Sequence, residues 1–187
     1  MTERHHKILD AAISVFSRYG LRKATMGDIA EQAGISRQTL YARYANKDEI
    51  MAAAMQRIAD QVCHEVTENW IAADSLSARL DVFLDRAIVR FFDQLQQMPD
   101  SSDLLTGHGE GAAAAQMMAE SGKIALLTRL FTPYVEVLAA RGSSPLELAE
   151  FFFASASSFN FTARDLDHLT ALLATLKRTT LLMLGEA

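Results

Sequence analysis

Arg37, Gln38, Thr39, Tyr41 and Arg43 lie within one short stretch of the chain, Arg37-Gln38-Thr39-Leu40-Tyr41-Ala42-Arg43-Tyr44. At helical spacing Arg37, Gln38 and Tyr41 share a side, with Thr39 and Arg43 toward its edges. Leu40 and Tyr44, four apart, face the other way and can hold the helix to its neighbours. The outer side offers groups that meet nucleic acid. Arginine can bond guanine through two donors and glutamine can do the same for adenine. Tyrosine, threonine and lysine contacts to phosphate fix register.

The elements that must position this strip can be read just upstream. Thr25-Met26-Gly27-Asp28 sets a hydroxyl three residues before a carboxylate, the pattern of a helix N-terminus. Met26, Ile29, Ala30 and Ala33 then face inward. Gly34 ends this second helix after about two turns. Ser36 caps a third helix expected to run to Tyr44, and Asn46 caps a fourth with Glu49 completing its start. Two short helices joined by Ala33-Gly34-Ile35-Ser36 have the form of a helix-turn-helix, whose second helix can enter the major groove. An ordinary helical hairpin inside a core has the same outline. The polar outer side of the third helix favours the DNA reading.

The first helix is expected over Thr2–Tyr19, with Ile8, Ala12 and Phe16 recurring at i+4 beside Leu9 and Ile13, and a left-handed stop at Gly20. Beyond residue 46 the periodicity predicts helices over 47–70, 76–98, 112–140 (with breaks at Gly122 and Pro133), 145–162 and 166–184. The segment 99–111, with Pro99, Gly107, Gly109 and Gly111, reads as loop. Phe151-Phe152-Phe153 is the best strand candidate, yet Leu146, Ala149, Phe153 and Ala156 carry a helical period through it. The chain is therefore expected to be all-α.

Half of the 187 residues are hydrophobic, enough for a substantial core. The formal net charge is −5, but residues 1–50 hold eight Lys/Arg against six Asp/Glu, and the rest ten against seventeen. Phosphate contacts, if any, are expected in the first fifty residues. Cys63 is the only cysteine, which rules out a disulfide within one chain and a cysteine-based metal site. No secretion signal and no apolar run near the roughly 20 residues of a membrane span are evident, so a cytoplasmic location without membrane contact is expected.

The stretch Ile29 to Ile50, with Thr39-Leu40-Tyr41, an aromatic three positions on, and Lys47 followed by acids, resembles the helix-turn-helix of the tetracycline-repressor (TetR) family. Ile8-Leu9-Asp10-Ala11-Ala12, Phe16 and Tyr19-Gly20 are similar to that family's first helix. The resemblance is strong over residues 4–50 and one of architecture and length beyond. It implies an N-terminal three-helix DNA-binding domain over 1–48 and a helical effector-binding and dimerisation domain over 49–187. It also implies that Thr25, Tyr41, Arg43 and Lys47 meet the DNA backbone while Arg37, Gln38 and Thr39 read or position bases. Gln38 stands where the family often has a small residue, so specificity can lean on it. Ala42 stands where the family often has His or a larger residue, which removes a contact.

The function so implied is a transcriptional regulator, acting as a repressor released from a palindromic operator by a small molecule. The partners expected are double-stranded operator DNA, a largely apolar effector with one or two polar handles, and a second copy of the chain. Trp70, Phe91, Met117, Phe131 and Phe159 are candidate effector contacts, although core packing explains each as well. His64, His108, Arg129 and Asn160 interrupt apolar helix faces. Leu166, Leu169, Leu173, Leu176, Thr180 and Met183, with Leu146, Ala149, Phe153, Ala156 and Asn160, are expected at the dimer surface. The other readings are an adaptor or ligand-binding protein without DNA binding, and an enzyme. Asp165-Leu-Asp-His168 has no second such sequence to build a di-iron centre with. No nucleophile triad or phosphate loop stands out, so neither an enzyme nor a cofactor is expected.

Overall fold

The computed structural model describes residues 3–97 and 110–186, and all regular structure among them is helical. Pro99, Gly107, His108 and Gly109 lie outside the described residues. The chain divides into two compact units. One takes in the described residues up to Ala59 and those of Leu95–Ala119, the other Asp60–Gln94 and Glu120 onward.

The first unit holds α1 (Glu3–Lys23), α2 (Met26–Ala33), α3 (Arg37–Tyr41) and the start of α4 (Lys47–Trp70). Gly20 carries φ 75° and ψ 160°. This is not the left-handed helical stop expected there but a conformation essentially confined to glycine, which kinks the chain before its last turn. Gly34 is left-handed (φ 66°, ψ 38°). The amides of Gly34 and Ile35 reach back to the carbonyls of Glu31 and Ala30 at 3.0 Å each, closing α2 in the Schellman manner.

One apolar core joins these helices. Leu9, Ala12, Ile29, Ala33, Leu40 and Ile50 are almost completely shielded from water within it. Ile50 and Ala54 belong to this core, so the unit continues into α4 beyond the boundary at residue 48 expected from sequence. Arg57, on α4, donates to both carboxylate oxygens of Asp10, on α1, at 2.8 and 3.0 Å.

The second unit holds the rest of α4, then α5 (Leu76–Leu84), a π-helical turn (Asp85–Val89) and the start of α6 (Arg90–Gln97). It continues with most of α7 (Glu110–Phe131), a 3₁₀ turn (Thr132–Tyr134), α8 (Val135–Ala139), α9 (Pro145–Thr162) and α10 (Leu166–Leu184). Pro133 breaks the long helix as expected, whereas Gly122 does not. Phe83, Phe131 and Phe152, all fully buried, meet edge to face, with centroids 6.4 Å apart for Phe83–Phe152 and 6.1 Å for Phe131–Phe152.

One expectation is corrected here. The stripe assigned to the dimer surface largely buries within the chain itself: Leu169, Leu173, Leu176 and Thr180 on α10, and Ala149, Phe153, Ala156 and Asn160 on α9, are all buried. Only Leu166 and Leu146 of that set are well exposed. A helical period shows that a face is covered, not what covers it.

Candidate nucleic-acid interface

The interface is built on α2 and α3. Thr25 starts α2 with a complete capping box. Its hydroxyl accepts from the Asp28 amide at 3.2 Å, and the Asp28 carboxylate accepts from the Thr25 amide at 2.9 Å and the Thr25 hydroxyl at 2.7 Å. These two bonds from Thr25 hold the Asp28 carboxyl below its usual pKa, against a small opposing effect of burial, and the nearby Arg37 guanidinium adds to the lowering. Ser36 starts α3, accepting from the Thr39 amide at 3.1 Å, and its hydroxyl bonds that of Thr39 at 2.8 Å. Thr39 is thereby tied into the cap and half-buried.

The third helix is shorter than expected. It ends at Tyr41, and the amides of Arg43 and Tyr44 both turn back to the Leu40 carbonyl at 3.0 Å. Leu40 has no exposed surface and Tyr44 is buried, so both anchor the element from below. Arg37, Gln38, Tyr41 and Arg43 are exposed, Tyr41 by 54%. The separation of faces read from the sequence is present, on five helical residues and a turn. Arg37 lies back over α2, where a Cβ at Gly27 would stand 2.5 Å from its Nη2. Lys47, at the start of α4, donates from Nζ to the carbonyls of Ala24 at 3.2 Å and Arg22 at 3.4 Å, which fixes α4 to the end of α1.

One residue of the site was not found from sequence. His5, on α1, accepts at Nδ1 from Arg43 Nε at 3.0 Å and lies 3.2 Å from the Tyr44 hydroxyl, stacked on the Tyr44 ring at 6.1 Å between centroids. The Arg43 Nε–H can only donate, so Nδ1 is the unprotonated nitrogen and the Tyr44 hydroxyl must donate too. Burial lowers the pKa of His5, and Arg43, His6, the N-terminus and Arg57 lower it further. Nothing local in the sequence signals this contact, which joins residues 38 and 39 positions apart.

The sign of the pH effect follows. A histidine whose folded pKa is depressed contributes stability in full above its unfolded value of about 6.5, and that contribution is lost as pH falls toward the folded value. His5→Ala is expected to weaken binding of a selected duplex by about 3- to 10-fold, the worth of one ordinary hydrogen bond. The same change made on Arg43→Ala should do much less, as a double-mutant cycle by fluorescence anisotropy will read.

Residues 8–54 match the model of a family of bacterial regulatory proteins, tetR family. Over those residues the chain is similar to that family. Its TetR-type segment carries α2, α3 and the strip described above. Among curated proteins similar to this chain, the transcriptional activator FasR of Mycolicibacterium smegmatis is 32% identical over 94 residues, 50% of this chain and 41% of that protein. The chain spans about half the length of the curated relatives it matches, such as two HTH-type regulators from Bacillus subtilis and Mycobacterium tuberculosis. Solved regulators share the fold at low identity. One from Cytophaga hutchinsonii has a TM-score of 0.70 at 17% identity, covering 97% of this chain and 96% of that one. FadR of Bacillus subtilis, solved with stearoyl-CoA, has 0.63 at 15%, covering 97% and 98%.

Of the five candidate effector residues, three pack with the aromatic core and two are exposed. Phe131 is a fully buried member of the aromatic core. Trp70 and Phe159 are half-buried against the same core, and the Trp70 indole donates to the Arg79 carbonyl at 2.8 Å. Phe91 is 40% and Met117 71% exposed. A groove of about 430 Å³ in the second unit is lined instead by Asp81, Lys177, Leu181 and Glu186 among others, and by none of the five. His64 and Arg129 are exposed; Asn160 is buried. No helix among the described residues is long and apolar enough to cross a membrane.

Proposed function

We propose that this chain regulates transcription by binding a palindromic operator as a homodimer, and that a small-molecule effector releases it. The observation that carries the reading is the outward strip of Arg37, Gln38, Tyr41 and Arg43 set above buried Leu40 and Tyr44. Arg37 and Gln38 supply base-edge contacts. Tyr41 and Arg43 supply phosphate contacts, and Lys47 and the N-terminal end of α2 at Thr25 add to them, with Thr39 fixing register through the Ser36 cap. Anisotropy titrations of duplex DNA across a salt series test this. Log affinity should fall linearly with log salt concentration, because each neutralised phosphate releases counterions. Salt-independent or absent duplex binding would remove the reading.

The faces of α9 and α10 turned away from the core support dimerisation. On α9 Phe151, Ala154, Ser158 and Phe161 form an exposed stripe, and on α10 Ala171, Ala174, Arg178 and Leu182 form another. Phe151 is 63% exposed, a large apolar group that a second copy would cover. Two such helix pairs make a four-helix interface related by a two-fold axis, and the symmetry passes to the operator. Phe151→Glu should shift the monomer–dimer equilibrium toward monomer by at least tenfold in analytical ultracentrifugation, while leaving the circular dichroism unchanged. An unaltered dimer would move the interface elsewhere.

Effector control follows from linkage. A ligand that favours the conformer with lower DNA affinity weakens operator binding, and DNA weakens ligand binding by the same factor.

A further inference from the structure

Glycine is among the poorest helix formers, yet Gly27 is the second residue of α2. Its φ lies outside the left-handed region, so the backbone itself does not call for glycine. What the missing side chain allows is a close approach. A Cβ at Gly27 would stand 2.5 Å from Arg37 Nη2, 3.0 Å from Cζ and 3.1 Å from Nε. Three guanidinium atoms thus occupy the space that any side chain at position 27 would fill.

A fixed anion stands beside this seat. The Asp28 carboxylate is held by the hydroxyl and amide of Thr25 at 2.7 and 2.9 Å. Those bonds do most to lower its pKa, burial opposes them slightly, and the positive charge of Arg37 adds to the lowering. Arg37 itself stays exposed to water, so its hold on α2 is of the order of an exposed ion pair. The same arginine begins α3 and belongs to the outward strip. Its head is turned back onto the preceding helix, while Gln38 and Tyr41 stand exposed beside it.

We propose that Gly27 is a positioning residue for Arg37: in the free protein its bare α-carbon and the Asp28 carboxylate seat the guanidinium on α2, and the arginine leaves this seat only where a base edge offsets the loss. A guanine, with two acceptors for one guanidinium, does so. A phosphate at the duplex surface offers one exposed ion pair, worth no more than the seat. On unselected DNA Arg37 therefore stays on α2 and contributes little to counterion release. That the movement serves base reading rests on the regulator reading; the seat itself does not.

Gly27→Ala tests this by filling the seat with a methyl group. The methyl meets only the far end of a flexible side chain, and alanine favours the helix, so the variant should melt no lower than the parent. The first readout needs no DNA. In nitrogen NMR of the labelled full chain, the Arg37 Nε–H signal, assigned by its absence from R37A, should show the heteronuclear NOE of an ordered side chain. In G27A it should fall to that of a mobile one. The second readout is anisotropy titration of selected and unselected duplexes. G27A should tighten the selected duplex by about 2- to 5-fold, the worth of the lost seat. On unselected duplex it should steepen the log–log salt slope by about 0.9, one further phosphate. In an R37A background G27A should change neither. An Arg37 that is mobile in the parent or equally ordered in G27A overturns the inference. So does a G27A protein that binds the selected duplex no more tightly, or that gains as much without Arg37. An ordered Arg37 released by G27A in a chain that binds no duplex sinks the regulator reading and leaves the seat standing; duplex binding with a mobile Arg37 does the reverse.

Discussion

Leu40→Ala is expected to destabilise the helix-turn-helix unit by about 2–5 kcal/mol, the usual cost of emptying a fully buried leucine site. Leu40 has no exposed surface and belongs to a core shared by α1, α2, α3 and the start of α4. The helix it anchors has only five residues, too few to persist in water on its own. Holding α3 in place therefore depends on this side chain and on Tyr44 beneath the turn. A unit of this size has little stability in reserve, so the loss should appear as an early transition in urea denaturation, well before the second unit unfolds. A single transition unchanged from the unsubstituted protein would mean that α3 is held by something other than its buried face.

Gln38→Ala, two positions away on the opposite face, is expected to do the converse. Gln38 is exposed, so stability should stay within about 0.5 kcal/mol of the parent. Discrimination at one base pair of each half-site should fall by about 1–3 kcal/mol, a factor of about 5 to 150. Gln38 is the sharper probe of base reading than Arg37, whose guanidinium lies back over Gly27 and has to swing outward to reach a base edge. Arg37→Ala removes a cation as well, so part of its effect will be uniform across sequences and will lessen the salt slope. Competition titrations against duplexes altered at single positions separate the two. Equal losses for every duplex with Gln38→Ala would assign that residue to the backbone.

The local chemistry of the interface was legible because it is written in neighbouring residues. Thr25 with Asp28, Ser36 with Thr39 and Asn46 with Glu49 each announce a helix start, and all three side chains accept the amide three residues on. Gly34 announces the turn. The length of α3 was not legible: Ala42 to Tyr44 have no helix-breaking residue, and only the turn back to Leu40 ends the element. Contacts between distant residues left no local mark either, as with His5 against Arg43 and Tyr44, or Lys123 over Phe153. Periodicity located the buried faces of α9 and α10 correctly but assigned them to a partner, when the chain's own core takes them. The aromatic residues chosen as candidate effector contacts carry the same ambiguity between core and site. Phe131 is what a core needs, and its type carries no record of an opening beside it.

Selection of duplexes bound by the full chain from a random pool tests the central claim most directly, with a variant bearing Arg37→Ala, Gln38→Ala and Tyr41→Ala run in parallel. The account predicts that the unsubstituted protein enriches one inverted repeat with two equivalent half-sites, and that the folded triple variant enriches none. Recovery of the same repeat by both proteins, or of no repeat by either, would contradict it.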